Sequence, residues 1–251
     1  MPDNKGNFIT QRKKWHLKKG HTMGLFKKIK KHVYKARQYK LICRDNQIEI
    51  PKNTRINLDV FGKNNTVIVK SRNITKSGNI TISIYGDDNT VVIGEDVRVS
   101  QYLLIAIGQN HKNFGPVKNC GVTIGRNTSF ESCDMIIKNS NANIAIGQEC
   151  MFAFNITLYH TDSHPIFDLN TKQIVNNVKC MNIGNHVWIG ANTTILKNTS
   201  IADDCIIGWG SVVSGHFADE HCAIAGNPAR KIKSGITWDS NGAKHGYIQN
   251  S

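Results

Sequence analysis

The 251-residue chain has no run of 18 apolar residues and no apolar core near its start. The sequence therefore predicts neither a membrane-spanning helix nor export by a signal peptide. Its seven cysteines, at 43, 120, 133, 150, 180, 205 and 222, include no Cys-x-x-Cys pair. Scattered in this way they are expected to be reduced packing residues of a cytoplasmic protein, not disulfides or zinc ligands. Acidic residues are almost missing from the first 45 positions, which hold 14 Lys/Arg against Asp3 and Asp45, a balance of +12 that leaves +2 for the rest. Residues 1–45 are thus a separate basic arm. The stretch 183–213, "IGNHVWIGANTTILKNTSIADDCIIGWGSVV", has no turn cluster, no helical stripe and no strict alternation, which excludes an ordinary helix or half-buried strand.

What that stretch does have is a count of six. Ile183, Ile189, Ile195, Ile201, Ile207 and Val213 recur at fixed spacing, and the residues four further on, Val187, Thr193, Thr199, Cys205, Ser211 and Phe217, are mostly small. Hexads predict a parallel β-helix, in which three short strands make one triangular coil and coils stack about 4.8 Å apart, each aliphatic over its counterpart. Gly, Asn and Asp between them suit corners that need tight or left-handed backbone.

The pattern divides the chain into the arm, a β-helix over 46–234 and a polar tail over 235–251. Residues 48–119 carry looser β-rich runs broken by Gly-Asn-Asn and Gly-Asp-Asp-Asn corners, and 159–182 interrupts the repeat with a long loop rich in ionisable groups, His160, Asp162, His164 and Asp168. Loops of that length in a compact fold are usually functional. In the arm, Leu25, Phe26, Ile29, Val33 and Tyr34 share one face of a predicted basic helix. It has two readings, a cap on the open end of the solenoid or an anchor on an anionic membrane surface. Nothing in it resembles a base-reading motif, so no nucleic acid is expected.

"TDSHPIFD", "IGNHVWIGANTTIL" and "AIAGNPARKI" together resemble the hexapeptide-repeat acyltransferase family, in particular its sugar and capsular-polysaccharide O-acetyltransferases alongside maltose and galactoside acetyltransferases. The resemblance is strong over 120–234, weaker over 48–119 and absent from the arm. It implies an all-β, left-handed parallel β-helix assembled as a homotrimer, transferring an acetyl group from acetyl-CoA to a glycan hydroxyl. The handedness comes from the resemblance, since the common crossover rule favours the other hand.

Carried onto this sequence, the resemblance makes His164, before Pro165, the general base, a role that suits imidazole near neutral pH. Asp162 is then expected to orient it or to form a turn, and a backbone N–H near Gly190 or Ala191 to face the oxyanion. Trp188, His160, Tyr159 and Asn155 are expected at the acceptor. Gly190, Ala191, Gly208, Ser214, Ala225, Gly226, Asn227 and Pro228 are expected along the coenzyme, with Arg230, Lys231 and Lys233 at its phosphates. One departure is "VVSGHFADEH", where Gly215 and His216 replace the Lys-Asp pair common in relatives. No metal is expected, although His160, His164 and His186 loosely resemble the three-histidine zinc site of β-helical carbonic anhydrases. Two other readings stay open: an N-acetyltransferase for a nucleotide-linked amino sugar, and a non-catalytic solenoid.

Overall fold

The computed structural model describes residues 45–240 apart from 53, 55, 73–77 and 110–114. The helical stripe expected in the arm lies outside the described residues, as does the end of the tail. Eight parallel strands stack into one face, beginning at Gln47–Glu49 and ending at His216–Phe217. The second sheet begins with long strands, among them Asn79–Asp87, Arg98–Ile107 and Ser129–Ile137. Ser129–Ile137 pairs along its length with both Met151–Phe152 and Ile156–His160. From there on each strand is split by a corner, so the later coils are triangular. The result is a left-handed parallel β-helix, closed by the antiparallel hairpin Cys222–Gly226 with Ala229–Ser234.

The hexads produce this geometry directly. Asn182 pairs with Ser200, Trp188 with Ile206 and Thr194 with Val212, each pair three hexads apart. Ile183, Ile189, Ile195, Ile201, Ile207 and Val213 are all buried, as are Val187, Thr193, Thr199, Cys205 and Ser211 four positions on. The second set must be small because it fills the corners, and its hydroxyls turn inward without going unpaired. Thr199 Oγ1 donates to Leu196 O at 2.7 Å and Ser211 Oγ to Gly208 O at 2.6 Å. Asn155, Asn192, Asn198 and Asp204 take φ of 55–58°, the left-handed backbone that Asn and Asp tolerate best.

The early coils are longer, yet their corners use the same logic with a buried amide. Asn65 and Asn89 have no exposed surface. Asn89 Nδ2 donates to Asn65 Oδ1 at 3.0 Å and Asn65 Nδ2 to Asn46 Oδ1 at 3.0 Å, while the Cys120 N–H donates to Asn89 Oδ1 at 3.0 Å. This ladder runs along the solenoid axis. The interruption is shorter than 159–182: Tyr159 and His160 finish a strand, Cys180 starts the next, and the loop proper is 161–179. It leaves from the corner between the third and first faces.

Candidate active site

His160 closes the base of the loop. It continues the inward phase of Ile156 and Leu158 and is fully buried. Its Nε2 lies 3.3 Å from the carbonyl of Lys179, at the other end of the loop, and its Nδ1 is buried without a partner. Burial pushes the imidazole below its ordinary pKa, helped by the charge of Lys197 and opposed by the Lys179 carbonyl. A side chain with no exposed surface does not reach an acceptor, so its expected place at the sugar becomes a place under the loop.

The segment that carries His164 is pinned from two sides. Asp162 Oδ2 accepts from Asn176 Nδ2 at 2.7 Å and pairs with Lys197 Nζ at 3.0 Å. Burial alone would raise this carboxyl; the Asn176 and Lys197 contacts outweigh it and hold the pKa below the usual value. Asn176 then grips the backbone around Pro165, donating to His164 O at 2.9 Å and accepting from Ile166 N at 2.8 Å. Ser163, with φ of 62°, bonds the Tyr159 hydroxyl at 3.1 Å and accepts from Lys138 Nζ at 3.4 Å. The Ser163 contact is the main cause that lowers the Tyr159 phenol, with Lys138 adding to it against burial.

Held in this way, His164 is exposed at the mouth of a cleft of about 360 Å³. Asn139, Asn141, Asn176 and Asn177 line it together with Ser140 and Asp162. Amides and hydroxyls beside a solvent-facing imidazole suit a ligand rich in hydroxyl groups. Asn139, Asn176, Lys138 and Lys197 were not singled out from the sequence, because their roles depend on loop ends that only folding brings together.

Other expected site residues lie elsewhere on the prism. Trp188, 37% exposed, stands on the second face. Asn155 sits at the corner between the second and third faces, its Nδ2 donating to Asn192 Oδ1 at 3.1 Å. Near that corner Gly190 and Gly208 stack under Ala225: a Cβ on Gly208 would lie 2.7 Å from Ala225 Cβ, and one on Gly190 2.8 Å from Trp209 N. The result is a strip of small residues on which successive coils stack closely; contrary to expectation Gly190 and Ala191 are buried in it, while Gly208 and Ala225 are half-buried. Gly190 N already donates to Ile207 O at 2.8 Å, so it is not an oxyanion donor. Ser214 falls on the loop's side, one position before Gly215, whose carbonyl accepts from Ser200 N.

At the exit, Gly226 N donates to Ser211 Oγ at 3.2 Å and Asn227-Pro228 makes the turn. Arg230 and Lys233 are exposed, but Lys231 pairs with Asp219, which raises its pKa. It is therefore a structural cation as well as a candidate phosphate partner. His186 bonds Asp204 at 2.7 Å on the corner between the first and second faces, away from His160 and His164, so the three histidines do not form one site. Among the described residues no group of three or more His, Cys, Asp or Glu could hold a metal ion.

Comparison with known proteins agrees with this geometry. The bacterial transferase hexapeptide family, in its six-repeat form, matches residues 181–215. The polysialic acid O-acetyltransferase of Neisseria meningitidis is 30% identical over 152 residues, 59% of this chain and 70% of that protein. The polysialic acid O-acetyltransferase of Escherichia coli O1:K1 / APEC is 33% identical over 137 residues, 53% of this chain; the match spans only 44% of that relative's length. Among solved structures, the polysialic acid O-acetyltransferase OatWY superposes with a TM-score of 0.62 at 28% identity, covering 81% of this chain and 94% of that one. With the coil, the His-Pro loop and the closing Gly-Asn-Pro turn all in place, the chain belongs to the hexapeptide-repeat acyltransferase family.

Proposed function

We propose that this protein transfers an acetyl group from acetyl-CoA to a hydroxyl of a cell-surface or capsular glycan, with the acceptor sugar in the cleft beside His164. The observation that carries the reading is His164 itself, exposed and with its backbone clamped by Asn176, at the mouth of an amide-lined cleft. His164 takes the proton of the acceptor hydroxyl as its oxygen attacks the thioester carbonyl. The tetrahedral oxyanion collapses, the C–S bond breaks, and the imidazolium returns the proton to the departing thiolate. Asp162, Asn176 and Lys197 hold the loop through this cycle, and no acyl-enzyme is needed. Relatives named polysialic acid O-acetyltransferases make a polymeric acidic sugar the first acceptor to try.

The half-buried part of the strip of small residues, Gly208 and Ala225, suits pantetheine, and the exposed Arg230 and Lys233 suit the nucleotide phosphates. That strip and Trp188 lie on the far side of the prism from the loop of their own chain. The working unit is therefore a homotrimer, in which the loop of one copy meets the second face of its neighbour. A thiol-release assay over a panel of glycans, with an acetyl-CoA-only blank, tests the reaction. His164→Ala is expected to lose about 10²- to 10⁴-fold in turnover, the usual range for a general base. Near-normal turnover of the variant would remove His164 from the mechanism.

A further inference from the structure

The end of the described chain turns back on the solenoid. After the closing hairpin, Gly235 takes φ of 70° and Ile236 N donates to His221 O at 3.0 Å, which directs 236–240 along the edge between the first and second faces. There Trp238 lays its indole on the His186 imidazole, with ring centroids 4.3 Å apart and planes within 10°. Its Nε1–H donates to the His186 carbonyl at 2.8 Å, which fixes the ring's rotation as well as its position. The imidazole beneath is held in turn by Asp204 Oδ1, 2.7 Å from Nδ1. The same Trp238 indole lies 6.1 Å from the Trp188 ring at 45°, within the range of a tilted aromatic pair.

A tryptophan on a two-residue strand has little of its own to hold it. Trp188 is 37% exposed and its strand is Trp188–Ile189 only. Free in solvent, such an indole divides its time among staggered rotamers; a neighbour that is itself fixed removes that freedom. We propose that Trp238 is a positioning residue for the acyl-transfer site, selecting through the Asp204–His186–Trp238 stack the orientation in which Trp188 walls that site. The proposal rests on the functional reading above for the task of Trp188. Simple coverage of the solenoid edge would leave kcat unchanged, whereas a ring held by stacking on His186 and by its indole N–H bond sets the angle of its neighbour. A phenyl ring that keeps only the stacking is therefore expected to keep part of the effect.

Two measurements on the full chain test it. With Trp15→Phe and Trp209→Phe in place, adding Trp238→Phe or Trp238→Ala leaves Trp188 as the single tryptophan. Trp238→Ala is expected to make Trp188 more accessible to acrylamide and lower its anisotropy relative to Trp238→Phe; equal values in the two proteins would overturn the proposal. In otherwise unchanged protein, Trp238→Ala is expected to lower kcat about tenfold with little change in KM and in melting temperature, with Trp238→Phe recovering part of the loss. Added to Trp188→Ala it should cost nothing more, since both act through one ring. Additive losses, or unchanged kinetics, would overturn it. Were the wild type to transfer acetyl to no glycan at all, the functional reading would fail, and the fluorescence comparison would still decide whether Trp238 sets Trp188.

Discussion

At the scale of single residues, His160 and His164 sit four positions apart and do opposite things. His164 is exposed in the cleft, while His160 is buried under the loop with its pKa lowered by desolvation. A histidine whose folded pKa lies below its unfolded value of about 6.5 adds stability above that value; protonation of the unfolded chain removes it as pH falls toward the folded pKa. Melting temperature is therefore expected to fall from about pH 7.5 to pH 5, and less steeply in His160→Gln than in the wild type. Parallel slopes in the two proteins would show that His160 is not buried neutral. The inward phase of His160 was legible from its strand, since Ile156 and Leu158 set a period of two that points it into the core. Resemblance drew attention to its chemistry and away from its phase. Asn176 had no such signal, because a loop amide acquires its role only when both ends of the loop are fixed.

At the scale of elements, the six-residue count was enough to give the coil, because stacking converts a spacing into a column. Ile189, for example, sits in register between Phe152 and Ile207. The early coils were less legible, since their long strands carry no hexad and their corners read only as turns. The Asn46, Asn65 and Asn89 ladder shows why those corners hold. A buried amide whose donors and acceptor are all used is stable, whereas half of one is costly. Asn89→Ala would strip partners from Asn65 Oδ1, the Cys120 N–H and the Val117 carbonyl together. It is expected to cost about 2–4 kcal/mol in chemical denaturation, from unsatisfied buried groups worth about 1–3 kcal/mol each. A loss below about 0.5 kcal/mol would mean that the ladder is not satisfied in the way described.

At the scale of the whole molecule, the prism separates what the proposed reaction must join. The loop with His164 leaves the corner between the third and first faces, while Trp188 and the strip of Gly190, Gly208 and Ala225 belong to the second face and its far corner. Sequence order hid this separation, because Trp188 follows His164 by only 24 residues. In a coil of three faces, nearness along the chain says little about which side a residue faces. The proposed trimer would repair the separation, since rotation about a threefold axis brings one copy's corner to its neighbour's face. The most direct measurement is a mixed assembly of two impaired proteins, His164→Ala and Trp188→Ala, unfolded together at equal amounts and refolded. If each site takes its histidine from one copy and its tryptophan from the next, about a quarter of the sites in a random closed ring regain both, and acetyl transfer returns to that level. Activity no higher than that of the two variants refolded separately would contradict a site shared between copies.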